Sequence, residues 1–175
     1  LVTPTWWNDL WLNEAFATWM SSRIVDAVAP ELEASLEAVA EARYVMSLDA
    51  QQSTRAIRQP IESGGDVENA FDGITYGKGA AVLRMTEAWL GADAFRAGVR
   101  AYLDAHAGGN ATTTDLLAAL SKASGQDVPG TLQRFLDQPG VPLVTAAVSC
   151  PAGGKPSVTL RQQRYLPAGS EVAGG

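Results

Sequence analysis

Two residues stand where their chemistry needs an explanation, Glu14 and Tyr76. Glu14 lies in Trp11-Leu12-Asn13-Glu14-Ala15-Phe16-Ala17, a stretch crowded with aromatic and apolar side chains. A carboxylate in such surroundings is costly unless it is paired or bound to a metal. The residues on its helix face, Ala17, Thr18 and Ser21, are small and leave room for another element to approach. Tyr76 lies in Phe71-Asp72-Gly73-Ile74-Thr75-Tyr76-Gly77-Lys78-Gly79-Ala80, among glycines that permit close backbone approach. A phenol held there can donate a hydrogen bond to a developing oxyanion. Taken singly, the two segments also fit a surface glutamate on an amphipathic helix and a packing tyrosine with its hydroxyl at the surface.

The remaining polar residues carry weaker signals. His106 is the only histidine and reads as a capping or surface residue near a helix end. Asn110-Ala111-Thr112 fits a glycosylation sequon. Arg55 and Arg58 fall in a long irregular stretch and read as solvated loop residues, with the lining of a cleft as the alternative. Glu33, Glu37 and Glu41 recur four apart, which reads as a solvated face rather than a metal site. Cys150, the only cysteine, supports neither a disulfide framework nor a thiolate site. It reads as a small buried residue, or as half of a disulfide whose partner lies outside this sequence.

Of the 175 residues, 46% are hydrophobic, enough to bury a core. Only 18% are charged, and the formal net charge is −6. A nucleic-acid surface needs clustered Lys and Arg, so that class is set aside. No run of roughly 18 apolar residues occurs, so no membrane segment is expected. Leu1-Val2-Thr3-Pro4 offers no initiator Met, basic region or signal core, and reads as a cut within a longer chain.

The elements that must position Glu14 and Tyr76 are mostly helical. Leu12, Phe16 and Trp19 recur at helical spacing and predict a core-facing helix from about Trp7 to Val28, ended by Ala29-Pro30. A second helix runs from Pro30 to about Met46, with Leu32, Leu36, Val39, Arg43 and Met46 along one side. From Leu48 to Thr75 no period is sustained, and a loop that long is often functional. Helical patterning returns at Tyr76–Leu90, stopped by Gly91, with Asp93 placed to cap the next helix. That helix presents Phe95, Val99, Tyr102 and His106 on one face. Thr112 and Asp115 resemble a capping box before Leu116, Leu117 and Leu120, with Gly125 as the stop. A short helix over Val128–Asp137 follows. Leu143–Ser149 and Val158–Leu166 then read as strands, with Val158, Leu160 and Tyr165 facing inward. Two strands alone are marginal, so they read as the opening hairpin of a larger β domain.

Together the two segments closely resemble the aminopeptidase N family of zinc peptidases, the gluzincin group that includes leukotriene A hydrolase. In that family an HExxH helix supplies two His ligands and a catalytic Glu. About 18 residues later, a Trp-Leu-Asn-Glu-Gly-Phe-Ala segment supplies the third ligand. Leu1–Leu10 resembles the connection and Trp11–Ala17 the ligand segment, which implies Glu14 as a zinc ligand. The family's Phe-Asp-x-Ile-x-Tyr-x-Lys-Gly segment is matched at Phe71–Gly79, which implies Tyr76 as the residue stabilising the tetrahedral intermediate. Similarity continues through Val82-Leu83-Arg84-Met85, Asn110-Ala111-Thr112 and Gln138-Pro139-Gly140-Val141-Pro142. Ala15 departs from the family's Gly, and Ser21 stands where many relatives carry a second acid.

The resemblance implies a mainly α fold. Residues 1–140 would form the C-terminal helical part of a thermolysin-like catalytic domain, and residues 141–175 the first strands of a β-sandwich domain. It implies one Zn²⁺ per full-length active site and peptide substrates with a free N-terminus. The HExxH helix, and the Gly-x-Met-Glu-Asn segment that reads the substrate amine in the family, would lie upstream of Leu1, leaving this chain inactive alone. The competing expectation is a non-catalytic helical scaffold or interaction module that kept the family's fold.

Overall fold

The computed structural model describes residues 1–170. Its frame is helical: α1 (Trp11–Val28), α2 (Ala34–Asp49), α3 (Gly64–Asn69), α4 (Gly79–Leu90), α5 (Ala92–Ala105), α6 (Thr113–Ser124) and α7 (Val128–Asp137). Between α3 and α4 lies a π-helical turn, Ile74–Lys78. Strands β1 (Thr3–Pro4) and β2 (Asn110–Ala111) make a short parallel bridge that the sequence did not announce. Strands β3 (Val141–Ser149) and β4 (Ser157–Tyr165) form an antiparallel hairpin in the register Val141↔Tyr165 to Ser149↔Ser157. The expected β segment runs to residue 175, so its last five residues lie outside the described residues.

Hydrophobic periodicity builds the core. Trp11, Leu12, Ala15 and Trp19 of α1 join Leu83 of α4, Phe95, Val99 and Tyr102 of α5, Leu116, Leu117 and Leu120 of α6, and Val128, Leu132 and Leu136 of α7 in one cluster. Burying an aromatic such as Phe95 contributes about 1.5–3 kcal/mol. The α5–α6 crossing is close because residue 98 is Gly: a Cβ there would stand 2.9 Å from Leu120 Cα. The capping box forms as expected. Asp115 N–H donates to Thr112 Oγ1, and Thr112 N–H donates to Asp115 Oδ2 at 2.8 Å. Gly125 closes α6 with a positive φ of 70°.

Several expectations change. The stretch Leu48–Thr75 is not structureless: α2 runs on to Asp49, and α3 is set by a capping box of Ser63 with Asp66. Asp93 does not cap α5; it lies inside the first turn after Gly91 and makes no capping bond. The line of Leu32, Leu36, Val39 and Met46 faces outward, because α2 docks through Ala38 and Val45 instead. Val158, Leu160 and Tyr165 are exposed, since the hairpin's faces have no covering layer among the described residues. Cys150 is likewise exposed at the hairpin end, not buried. No helix among the described residues is long and apolar enough to cross a membrane.

Candidate active site

Glu14 enters from the first turn of α1, where its amide donates to Leu10 O at 3.3 Å. The side chain is half-buried, and among the described residues no cation pairs with it. Its small neighbours do not compete for the carboxylate. Thr18 Oγ1 donates back to Glu14 O at 2.9 Å, and Ser21 Oγ donates to Thr18 O at 3.0 Å. The hydroxyl at position 21 is thus satisfied by its own helix.

Tyr76 enters from the π-helical turn, whose signature is the Gly79 amide reaching back to Ile74 O. Such widened turns recur at functional sites. Packing explains the glycines around it. A Cβ on Gly77 would lie 2.5 Å from Val45 Cγ2, and one on Gly79 would lie 2.6 Å from Ala15 Cβ. The turn therefore rests directly on α2 and α1. Ala15, the departure from the family's Gly, fits because Gly79 supplies the space for its methyl group.

The structure brings the two expected residues together: the Glu14 carboxylate lies near enough to the Tyr76 hydroxyl to act on its proton. Burial raises the phenol above its ordinary value of 10.0, and the neighbouring Glu14 carboxylate raises it further. The phenol is therefore a protonated donor throughout the neutral range.

Three ion-pair centres hold these elements, those of Asp9 and Asp49 buried and that of Asp72 at the surface. Asp72 accepts from the Ile74 and Thr75 amides at 2.9 and 3.2 Å and pairs with Arg55, which also donates to Thr75 Oγ1 at 2.8 Å. Asp9 is 3% exposed and accepts from Arg58 Nε at 2.8 Å and from Thr113 Oγ1 at 2.6 Å. Asp49 pairs with Lys78. Arg55 and Arg58 are therefore not solvated loop residues, because each is consumed by aspartates that fasten the loop to the helices. Asp9, Asp49 and Asp72 were missed by sequence reasoning. The cost argument that singled out Glu14 applied equally to Asp9 between Trp7 and Trp11.

His106 sits at the C-terminal end of α5, its ring 5.5 Å from that of Tyr102, as a capping position predicts. Asn110 is exposed, with its amide donating to Thr3 Oγ1 at 2.9 Å. Among the described residues no group of three His, Cys, Asp or Glu side chains could hold a metal ion. What Glu14 offers is a carboxylate that no cation pairs with among the described residues, which fits a single oxygen ligand of a zinc site.

The peptidase family M1 domain model matches residues 1–135. The chain is similar to Aminopeptidase 2, mitochondrial, of Saccharomyces cerevisiae, 41% identical over 95% of this chain and 17% of that protein. It is similar to Aminopeptidase M1 of Arabidopsis thaliana, 37% identical over 99% of this chain and 19% of that protein. Tricorn protease-interacting factor F2 of Thermoplasma acidophilum is 37% identical over 85% of this chain and 19% of its own length. The chain thus spans less than a fifth of the length of these relatives. With the family model matching residues 1–135, most of its length, the chain belongs to peptidase family M1.

Proposed function

We propose that the full-length protein carrying this chain is a zinc-dependent aminopeptidase, in which Glu14 is a metal ligand and Tyr76 stabilises the oxyanion. The observation that carries this reading is the meeting of the Glu14 carboxylate with the Tyr76 hydroxyl, from segments far apart in the chain. The names of the aminopeptidase relatives support the same direction. Glu14 would hold zinc together with two histidines from elsewhere in the protein, and the bound metal supplies Lewis-acid polarisation of the scissile carbonyl and acidification of water.

This chain's own residues do three things. Glu14 presents an anionic oxygen on a rigid helix, undiverted by a neighbouring cation. Tyr76 donates its proton in a hydrogen bond to the oxygen that becomes negative as the carbonyl turns tetrahedral. The raised pKa of the phenol holds that proton in place. The π-turn and α1 fix the distance between the two groups through the Gly79–Ala15 contact. The general base and the groups that read the substrate's free amine come from other parts of the protein. One ligand does not make a site, so the 175-residue chain alone binds zinc weakly and is inactive.

The test is release of N-terminal residues from aminoacyl-arylamides by the full-length protein, with amine-blocked substrates as controls. Tyr76→Phe should cost about 10²–10³ in kcat, and Glu14→Ala should abolish turnover. Unchanged rates in both variants would sink the assignment. An inactive wild-type protein that still holds the fold would return the reading to a non-catalytic scaffold.

A further inference from the structure

Lys78 lies two residues after Tyr76 in the same π-helical turn and points away from Glu14, toward the end of α2. Its Nζ donates to Asp49 Oδ2 at 2.8 Å and to Gln138 O at 3.3 Å, and its side chain is only 12% exposed. Asp49 is more deeply buried, at 3% of its side-chain surface, and its other oxygen is also committed. Oδ1 accepts from Thr54 Oγ1 at 3.0 Å and from the Gly140 amide at 2.9 Å. One buried carboxylate therefore grips the Tyr76 turn, the loop after α2, and the residue just before strand β3.

A π-turn is a locally irregular segment with a poorer hydrogen-bond ladder than an α-helix, so its orientation must be set from outside. On the α1 side the contact that seats the end of the turn is van der Waals, Gly79 against Ala15. On the α2 side it has Gly77 against Val45 and the charged pair of Lys78 with Asp49. Upstream, Arg55 and Asp72 hold Thr75. Of these anchors, only the Lys78–Asp49 pair is directional, charged, buried and placed downstream of the phenol. A rotation that swung Tyr76 off Glu14 would first have to pull Lys78 out of this pair. A break in a buried pair is costly because it leaves an uncompensated charge.

We propose that Lys78 and Asp49 are a positioning pair: they hold the π-turn so that the Tyr76 hydroxyl meets the reacting oxygen, and the Asp49–Gly140 bond ties that position to the hairpin junction. The proposal rests on the role assigned to Tyr76 above. Neither residue touches substrate, so both act through Tyr76.

The experiment is a double-mutant cycle on full-length, zinc-loaded protein, reading kcat and KM separately, with zinc content and amide hydrogen exchange over residues 74–79. Lys78→Met should lower kcat by about 30- to 100-fold, as a displacement near 1 Å does, with KM and zinc content held and exchange accelerated in the turn. Lys78→Arg should recover kcat to within about 5-fold of wild type, because a cation can again reach Asp49. In a Tyr76→Phe background, Lys78→Met should cost less than about 3-fold more, the non-additivity expected of residues acting as a unit. Should Lys78→Met fail to fold, the neutral pair Asp49→Asn with Lys78→Gln serves in its place. It should lose about 10-fold or more in kcat with its fold intact. Full kcat in Lys78→Met or in the neutral pair, alongside a collapsed Tyr76→Phe, overturns the positioning role and leaves the proposed function standing. Full kcat in Tyr76→Phe itself overturns both.

Discussion

At the scale of single residues, the candidate site is defined as much by what Glu14 lacks as by what it touches. Every buried aspartate nearby is claimed by a cation: Asp9 by Arg58 and Asp49 by Lys78. Among the described residues no cation pairs with Glu14, so its charge is available. Ser21 bears on this directly. Its hydroxyl is spent on Thr18 O and not on Glu14. Ser21→Ala removes a half-solvated helix bond and nothing at the site. It should leave arylamide kcat/KM within about 2-fold and stability within about 0.5 kcal/mol of wild type, measured by steady-state kinetics and thermal melting. A loss beyond tenfold would mean that position 21 orients Glu14 after all. Both candidate residues stood out in the sequence, Glu14 for its apolar surroundings and Tyr76 for its flanking glycines. Their meeting could not be read there, because it depends on the depth of Gly77 and Gly79 against two other helices.

At the scale of elements, the π-turn and its two helical supports form the working unit. Gly77→Ala places a methyl group within 2.5 Å of Val45 Cγ2, so the turn must shift or strain. Overpacking of this kind costs about 1–3 kcal/mol. Gly77→Ala should therefore lower kcat and melting temperature together, and adding Val45→Ala should restore part of both. Failure of the second change to recover either would show that the turn is not seated on α2 through this contact. The capping box of α6 gives a pH-dependent prediction. The hydrogen bonds from Thr112 hold Asp115 below its ordinary value of 3.8. A carboxylate depressed in the folded state stabilises fully above the unfolded value, and that stability is lost as pH falls through the folded one. Thr112→Ala should thus speed amide exchange at residues 113–116 about 5-fold at pH 7, for a cap worth about 1 kcal/mol. The difference should shrink as the pH is taken below 3.8. A difference that stays constant into acid would detach the cap from the Asp115 carboxylate. The helices were legible wherever period and caps agreed, as in α7, expected and found over Val128–Asp137. Helix α3 was missed although Ser63 and Asp66 stand at capping spacing, because its six residues are too few to show a period. On α2 the period marked one side without saying which side packs. Periodicity locates an apolar side but does not say what covers it, and in this chain the covered side is that of Ala38 and Val45.

At the scale of the whole molecule, the chain is a helical body with a hairpin leaving it at Gly140. The body has its own core, whereas Val144, Val148, Val158 and Leu160 of the hairpin stand exposed. The division proposed from the sequence makes residues 1–140 part of a catalytic domain and residues 141–175 the opening of a β domain. It predicts that these four side chains are covered in the full-length protein. A cysteine placed at Val148, in a background with Cys150→Ser, should react with a maleimide at least about 10-fold more slowly in folded full-length protein than after unfolding. Equal rates would leave the hairpin uncovered and the division wrong. The central claim also belongs to this scale, because the proposed zinc site would draw its other ligands from outside this chain. The most direct measurement is anomalous diffraction at the zinc edge from crystals of the full-length protein, wild type and Glu14→Ala. The account predicts a wild-type peak about 2.0–2.2 Å from a Glu14 oxygen, with the Tyr76 hydroxyl facing the same cavity, and a lost or strongly weakened peak in the variant. A fully occupied zinc peak remote from Glu14, or one unchanged in Glu14→Ala, would contradict it.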